Sequence, residues 1–173
     1  APDAAAPVVS ARARRQPAGS GAARAMIVCS LAHAGVLEAL YRACFETPWR
    51  ERDIAEILAM PGAIGLMTTA GETPVGFILA RAAGDEGEII SVGVIPASRR
   101  RGLARGLIRA AEAALRSAGA DRVFLEVAET NGAARAVYRA LGYRETGCRP
   151  GYYRTAQGPV DALILRADLA DSI

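Results

Sequence analysis

Lysine is absent from this 173-residue chain, so all 21 of its basic residues are arginine. Histidine occurs once, at His33, and the three cysteines (Cys29, Cys44, Cys148) are scattered and odd in number. No zinc-type ligand spacing can be drawn from that set, and no disulfide framework. No metal is expected, and free thiols point to a reducing cytoplasmic compartment. Apolar runs fall far short of the length that spans a bilayer, so no membrane partner is expected. The Lys-Ser/Thr pair of a P-loop is missing, and so is the G-x-G-x-x-G dinucleotide fingerprint.

The net charge of +3 is concentrated at one end. Residues 1–25 are rich in Ala, Pro and Arg without periodicity, and carry Arg12, Arg14, Arg15 and Arg24 against Asp3. That stretch reads as a disordered tail, with a targeting segment as the second reading. The remainder, 26–173, is then neutral and long enough for one domain with a substantial core.

What is present is a strand–turn–helix unit, SVGVIPASRRRGLARG, from Ser91 to Gly106. Val92, Val94 and Ile95 favour extended backbone, and Pro96 ends the strand. From Leu103 the apolar residues Leu107, Ala110, Ala111 and Ala114 recur on one helical face. The spacing predicts a helix over Arg101–Ser117. A helix start exposes unpaired N–H groups and the positive dipole end, and arginines crowd this one, so it suits a diphosphate.

Around that unit the chain alternates. A strand at Met26–Cys29 precedes a helix that Ser30 would cap, and Thr47-Pro48-Trp49 breaks that helix before a second one at Glu51–Met60. Strands at Ala63–Thr69, Pro74–Ala83 and Gly87–Ile95 read as an antiparallel run. Past the long helix, Asp121–Ala128 is a strand parallel to the one ending at Ile95, because a helix connects them. A short helix at Asn131–Leu141 follows, then strands Tyr143–Arg149 and Val160–Arg166 flanking a Gly151–Gly158 loop. The class is α/β: a mixed, mostly antiparallel sheet with one central parallel pair and helices on both faces.

Arg99-x-x-Gly102-x-Ala104 after Val-Gly-Val resembles the coenzyme-A signature of the GNAT N-acetyltransferases. Downstream, VFLEVAETNGAARAVYRALGYRE (Val123–Glu145) is similar to that family's next strand, Asn-bearing turn and Tyr-bearing helix. Thr47-Pro48-Trp49 and GYYRTAQGPVDALIL (Gly151–Leu165) resemble its ribosomal-protein-alanine N-acetyltransferase subgroup. The resemblance implies that the central parallel strands splay and that acetyl-CoA is the co-substrate. It would be held by Val92, Gly93, Val94, Arg99, Arg100, Arg101, Gly102, Leu103, Ala104, Arg105 and Asn131.

The same resemblance implies Glu126 as general base and Tyr138 as general acid, with Trp49, Tyr152 and Tyr153 lining the acceptor groove. The acceptor would be a protein amino terminus, of ribosomal origin. The residues also allow blander roles. Glu126 alternates away from Leu125 and Val127 and could be a paired structural carboxylate, with Glu129 the rival base. Tyr138 and Trp49 could be core filling, Asn131 a helix cap, and Arg99–Arg101 a solvated turn or an RNA contact. A small-molecule or lysine acetyltransferase, or a non-catalytic RNA- or coenzyme-binding module, are the competing functions. A monomer without direct nucleic-acid contact is expected.

Overall fold

In the computed structural model, which describes residues 24–169, eleven elements follow one another. These are β1 (Met26–Val28), α1 (Ala34–Cys44), α2 (Glu51–Leu58), β2 (Ala63–Ala70), β3 (Thr73–Ala83) and β4 (Glu86–Val94). Then come α3 (Leu103–Ser117), β5 (Arg122–Ala128), α4 (Gly132–Ala140), β6 (Arg144–Thr155) and β7 (Gly158–Asp168). The strands form one sheet in the order β1-β2-β3-β4-β5-β7-β6. Every neighbouring pair is antiparallel except β4–β5. The expectation of a disordered tail lies, for residues 1–23, outside the described residues. Of its last two residues, Ala25 accepts a backbone hydrogen bond from Thr69 N–H at 3.1 Å.

Alternation along the strands builds two cores. Met67, Phe77 and Leu79 face α1 and α2, meeting Leu37, Tyr41 and Ile54. Ile78, Val123 and Leu125 face the other way, toward Leu107, Ile108, Ala111 and Leu115 of α3 and Tyr138 of α4. Leu107 and Leu115 are fully buried, each worth about 1.5–3 kcal/mol relative to exposure. Helices on both faces therefore follow from strands that are apolar on both sides.

Three of the boundaries that differ from the sequence reading have a local cause. The segment after Ser30 opens as a 3₁₀ turn, Leu31–His33, because His33 N–H bonds back to Ser30 O at 2.9 Å, and the α-helix starts at Ala34. The long helix starts at Leu103 rather than Arg101, since Arg100 (φ 61°) and Gly102 (φ 77°) are left-handed. The expected Gly151–Gly158 loop is strand up to Thr155, closed by a two-residue turn. Pro150 and Gly151 (φ 62°) sit instead in a register shift between Arg149 and Tyr153, a bulge within β6. Among the described residues no helix is long and apolar enough to cross a membrane.

Candidate active site

The parallel strands pair only over Glu86–Ile89 and Arg122–Leu125 and then part. On its other side β4 shifts register against β3 between Ser91 and Ile89, an extra residue that bends the strand and increases its twist. That bulge at Ile90 is the local cause of the splay. Ile95 N–H donates to Val75 O at 3.0 Å. By alternation Gly93 also faces β3, and the N–H groups of Val92 and Val94 face the gap. Gly93 is glycine for packing. A Cβ there would lie 2.7 Å from the Phe77 ring and 3.1 Å from Cys44 Sγ.

Beyond Val94 the chain makes a 3₁₀ turn at Pro96–Ser98 and reverses into α3. Arg99 folds back so that its Nε donates to Val94 O at 2.9 Å, which ties the turn to the strand end. The first intrahelical bond runs from Gly106 N–H to Gly102 O at 3.0 Å. The N–H groups of Leu103, Ala104 and Arg105 therefore lack helical partners. No atom lies within 4 Å of where a Gly102 Cβ would stand, so the backbone there is open to approach. Arg101 is exposed, and its carbonyl accepts from Arg24 Nη1 at 3.4 Å.

The opposite wall comes from β5 and α4. Asn131 caps α4, its Oδ1 accepting from Ala134 N–H at 3.1 Å. Tyr138, two turns on, is buried against Tyr143 with ring centroids 5.5 Å apart. Burial, and then the neighbouring Tyr153, push its hydroxyl well above the usual phenol range, so it stays protonated at neutral pH. Glu126 stands on the sheet face opposite Leu125 and Val127, half-buried, with Oε1 2.7 Å from Arg149 Nε.

A cavity of about 960 Å³ joins these walls. Val92, Gly93, Val94, Arg99, Arg100, Gly102, Leu103, Ala104, Arg105, Glu126, Asn131 and Tyr138 all line it. Arg101 does not, and neither do Trp49, Tyr152 or Tyr153. Trp49 is half-buried and stacks on Tyr41 at 5.1 Å and 25°. Tyr153 is buried beside Ala128 and Ala162, edge-on to Tyr152 at 5.2 Å, and the Glu126 carboxylate contributes to its raised pKa after burial. Glu129 lies outside the cavity, exposed.

Among the wall residues that escaped sequence reasoning, two come from outside the strand–turn–helix units. Cys44 and Phe45, at the end of α1, close the cavity beside Gly93. Burial pushes the Cys44 thiol up to about 11, with Arg99 opposing, so it is a neutral lining group rather than a nucleophile. No group of three or more potential metal ligands occurs among the described residues.

The arrangement can hold an extended anionic ligand along a splayed strand pair, with a carboxylate and a phenol on the same cavity wall. The Acetyltransferase (GNAT) family matches residues 35–143, from α1 to the residue after α4's glycine stop. The chain belongs to the GNAT acetyltransferase family.

Within the GNAT family, it is 36% identical over 102 residues to the ribosomal protein bS18-alanine N-acetyltransferase of Salmonella typhimurium, covering 59% of this chain and 69% of that one. It is 35% identical over 130 residues to N-alpha-acetyltransferase RimI of Mycobacterium tuberculosis, covering 73% and 79%. The crystal structure of the ribosomal-protein-S18-alanine N-acetyltransferase from Escherichia coli superposes with a TM-score of 0.81 at 24% identity, over 87% of this chain and 97% of that one. The GNAT fold thus extends over nearly the whole described chain.

Proposed function

We propose that this GNAT enzyme transfers acetyl from acetyl-CoA to the α-amine of a cytoplasmic protein that begins with alanine, with a small-subunit ribosomal protein as the acceptor. One observation carries the reading: a single cavity is lined both by the unpaired helix N–H groups with their arginines and by Glu126 and Tyr138. The named activities of the two similar relatives supply the acceptor class.

The residues fit the coenzyme. Gly102 leaves the first turn of α3 open, so that the N–H groups of Leu103, Ala104 and Arg105 would bind the diphosphate, with Arg100 beside them. The gap-facing N–H groups of Val92 and Val94 would hold the pantetheine arm as an added strand is held. When bound, acetyl-CoA supplies an acyl group already activated as a thioester.

The chain's own residues do the proton work. An α-amine with a pKa near 8 arrives mostly protonated, and Glu126 would take its proton directly or through water. Val94 N–H would donate to oxygen charge developing at the carbonyl. Tyr138, held protonated by burial, would give a proton to the departing sulfur. Trp49, Tyr152 and Tyr153 are proposed to wall the acceptor's approach. Tyr153 lies beside Glu126, and Trp49 stacks on the helix that ends at the cavity wall.

Mass spectrometry after incubation with acetyl-CoA tests the acceptor. Peptides starting with Ala, Met or Val would be compared with a blocked peptide bearing an internal lysine. Acetyl is expected on the α-amine of the Ala peptide, more slowly at high salt if the peptide is basic. Acetyl found only on the lysine defeats the amino-terminal reading and leaves the coenzyme site standing. Tyr138→Phe is expected to lower turnover by roughly 10²-fold or more, with acetyl-CoA affinity retained in calorimetry because the ring still fills its place.

A further inference from the structure

Glu126 does not meet solvent alone. Arg149, on β6, reaches across β7 so that its Nε sits 2.7 Å from Glu126 Oε1, and its guanidinium also lies over the Tyr152 ring, 5.7 Å from the centroid. We propose that Arg149 is a positioning residue that fixes the Glu126 carboxylate for proton transfer. The proposal rests on the reading of Glu126 as the base.

Three features support it. The contact uses only Oε1. Oε2 makes no hydrogen bond within the protein among the described residues, so one oxygen is held and the other is left to receive a proton. Arg149 is itself set by the backbone around it. It stands at the edge of the β6 bulge, where Gly151 is left-handed and its N–H is tied to Asp161 Oδ1 at 2.7 Å. The ring of Tyr152 backs the guanidinium, so two neighbours confine a long side chain that would otherwise wander.

The carboxylate has somewhere else to go. Glu126 also borders a second, smaller cavity of about 290 Å³ on its own face of the sheet, lined by Arg81, Glu88 and Phe124 as well as Arg149. Without Arg149, the carboxylate loses its ion-pair partner and is free to turn toward Arg81, the groove's other guanidinium. Stability is not the purpose of the pair. The Arg149 side chain is 56% exposed, and exposed ion pairs contribute little to folding. Removing it should therefore disturb geometry without unfolding the protein.

The test compares full-length wild type, Arg149→Ala, Arg149→Lys and Glu126→Gln, using acetyl-CoA and a basic Ala-initiated peptide. Arg149→Ala is expected to lower kcat roughly 10- to 100-fold, the cost of a misplaced catalytic group, with both KM values within about twofold and an unchanged melting temperature. Arg149→Lys should recover part of the loss, and millimolar guanidinium should raise kcat of Arg149→Ala. Wild-type kcat in Arg149→Ala overturns the proposal. So does a lowered peptide KM with inhibition by guanidinium, which would mean that Arg149 merely occupies the place of the incoming ammonium. A raised peptide KM with kcat unchanged also overturns it, by making Arg149 a direct acceptor contact. The base reading fails separately, if Glu126→Gln turns over normally. An inactive Glu126→Gln beside a normal Arg149→Ala sinks only the positioning role.

Discussion

Glu126→Gln is expected to lower kcat by roughly 10²–10⁴-fold, the range for loss of a general base, while acetyl-CoA binds with nearly unchanged affinity. The substitution preserves shape, and the glutamine oxygen can still accept from Arg149 Nε, which now sits 2.7 Å from Oε1. What it removes is the capacity to take a proton. The fold should tolerate the change, because the side chain is half-buried and its one ion pair reaches a largely exposed arginine. Steady-state assay of released coenzyme thiol gives kcat, and calorimetry gives coenzyme affinity. Glu129→Gln is the control. Glu129 is exposed and outside the cavity, and its fixed contacts are backbone ones, N–H to Asp161 O and carbonyl to Arg135 Nη1, both 2.9 Å. A large loss there with normal turnover in Glu126→Gln would move the base by three residues.

The cavity wall proposed to hold the coenzyme was legible as local structure because it is local in the chain. Val92 to Arg105 is one strand–turn–helix unit, and Glu126 to Tyr138 is one strand–turn–helix unit, so β-branched runs, Pro96, Gly102 and Asn131 punctuate both within short windows. The order and direction of β4 and β5 followed from the helix between them. What pattern could not supply was conformation at single residues. Nothing in three consecutive arginines says that Arg100 is left-handed, and that twist, with Gly102's, moves the helix start to Leu103. The bulge at Ile90, which parts the two strands, is likewise invisible in a run of apolar residues.

The side proposed for the acceptor was harder for a different reason. Pro150 and Gly151 carry the ordinary marks of a loop, yet the β6–β7 ladder resumes at Tyr153 and continues to Thr155. Tertiary pairing overrides local preference there. The neighbourhood of Glu126 is assembled across β7, where Ile164 pairs with Glu126 on one side and with Gly147 on the other. Arg149 becomes a partner only through that register. Trp49 follows the same logic in reverse, since the sequence places it after a helix break and packing then stacks it on Tyr41.

The remaining large effect belongs to the cradle. Gly102→Val is expected to weaken acetyl-CoA binding by about 10²-fold or more, and it carries two costs, one to the folded turn and one to binding. Left-handed backbone costs an L-residue roughly 1–2 kcal/mol, and more when the side chain is β-branched. Gly102 has φ 77°, and Arg100 just before it is already at 61°, so the turn has little room to relax without shifting the start of α3. The second cost is loss of contact. Space beside Gly102 is open, with no protein atom within 4 Å of a Cβ, and that space borders the N–H groups proposed to hold the diphosphate. Hydrogen bonds to a charged group contribute about 1.5–3 kcal/mol each, so losing one or two reaches about 3 kcal/mol, which is the hundredfold predicted. Gly106→Ala separates this from a general dislike of side chains in the basic turn. Gly106 lies within α3, outside the cavity, with open space at its Cβ, so alanine there should leave coenzyme affinity alone and stabilise the helix by about 0.5–1 kcal/mol. Calorimetric titration of both variants with acetyl-CoA decides the matter, and wild-type affinity in Gly102→Val would remove the diphosphate from the start of α3.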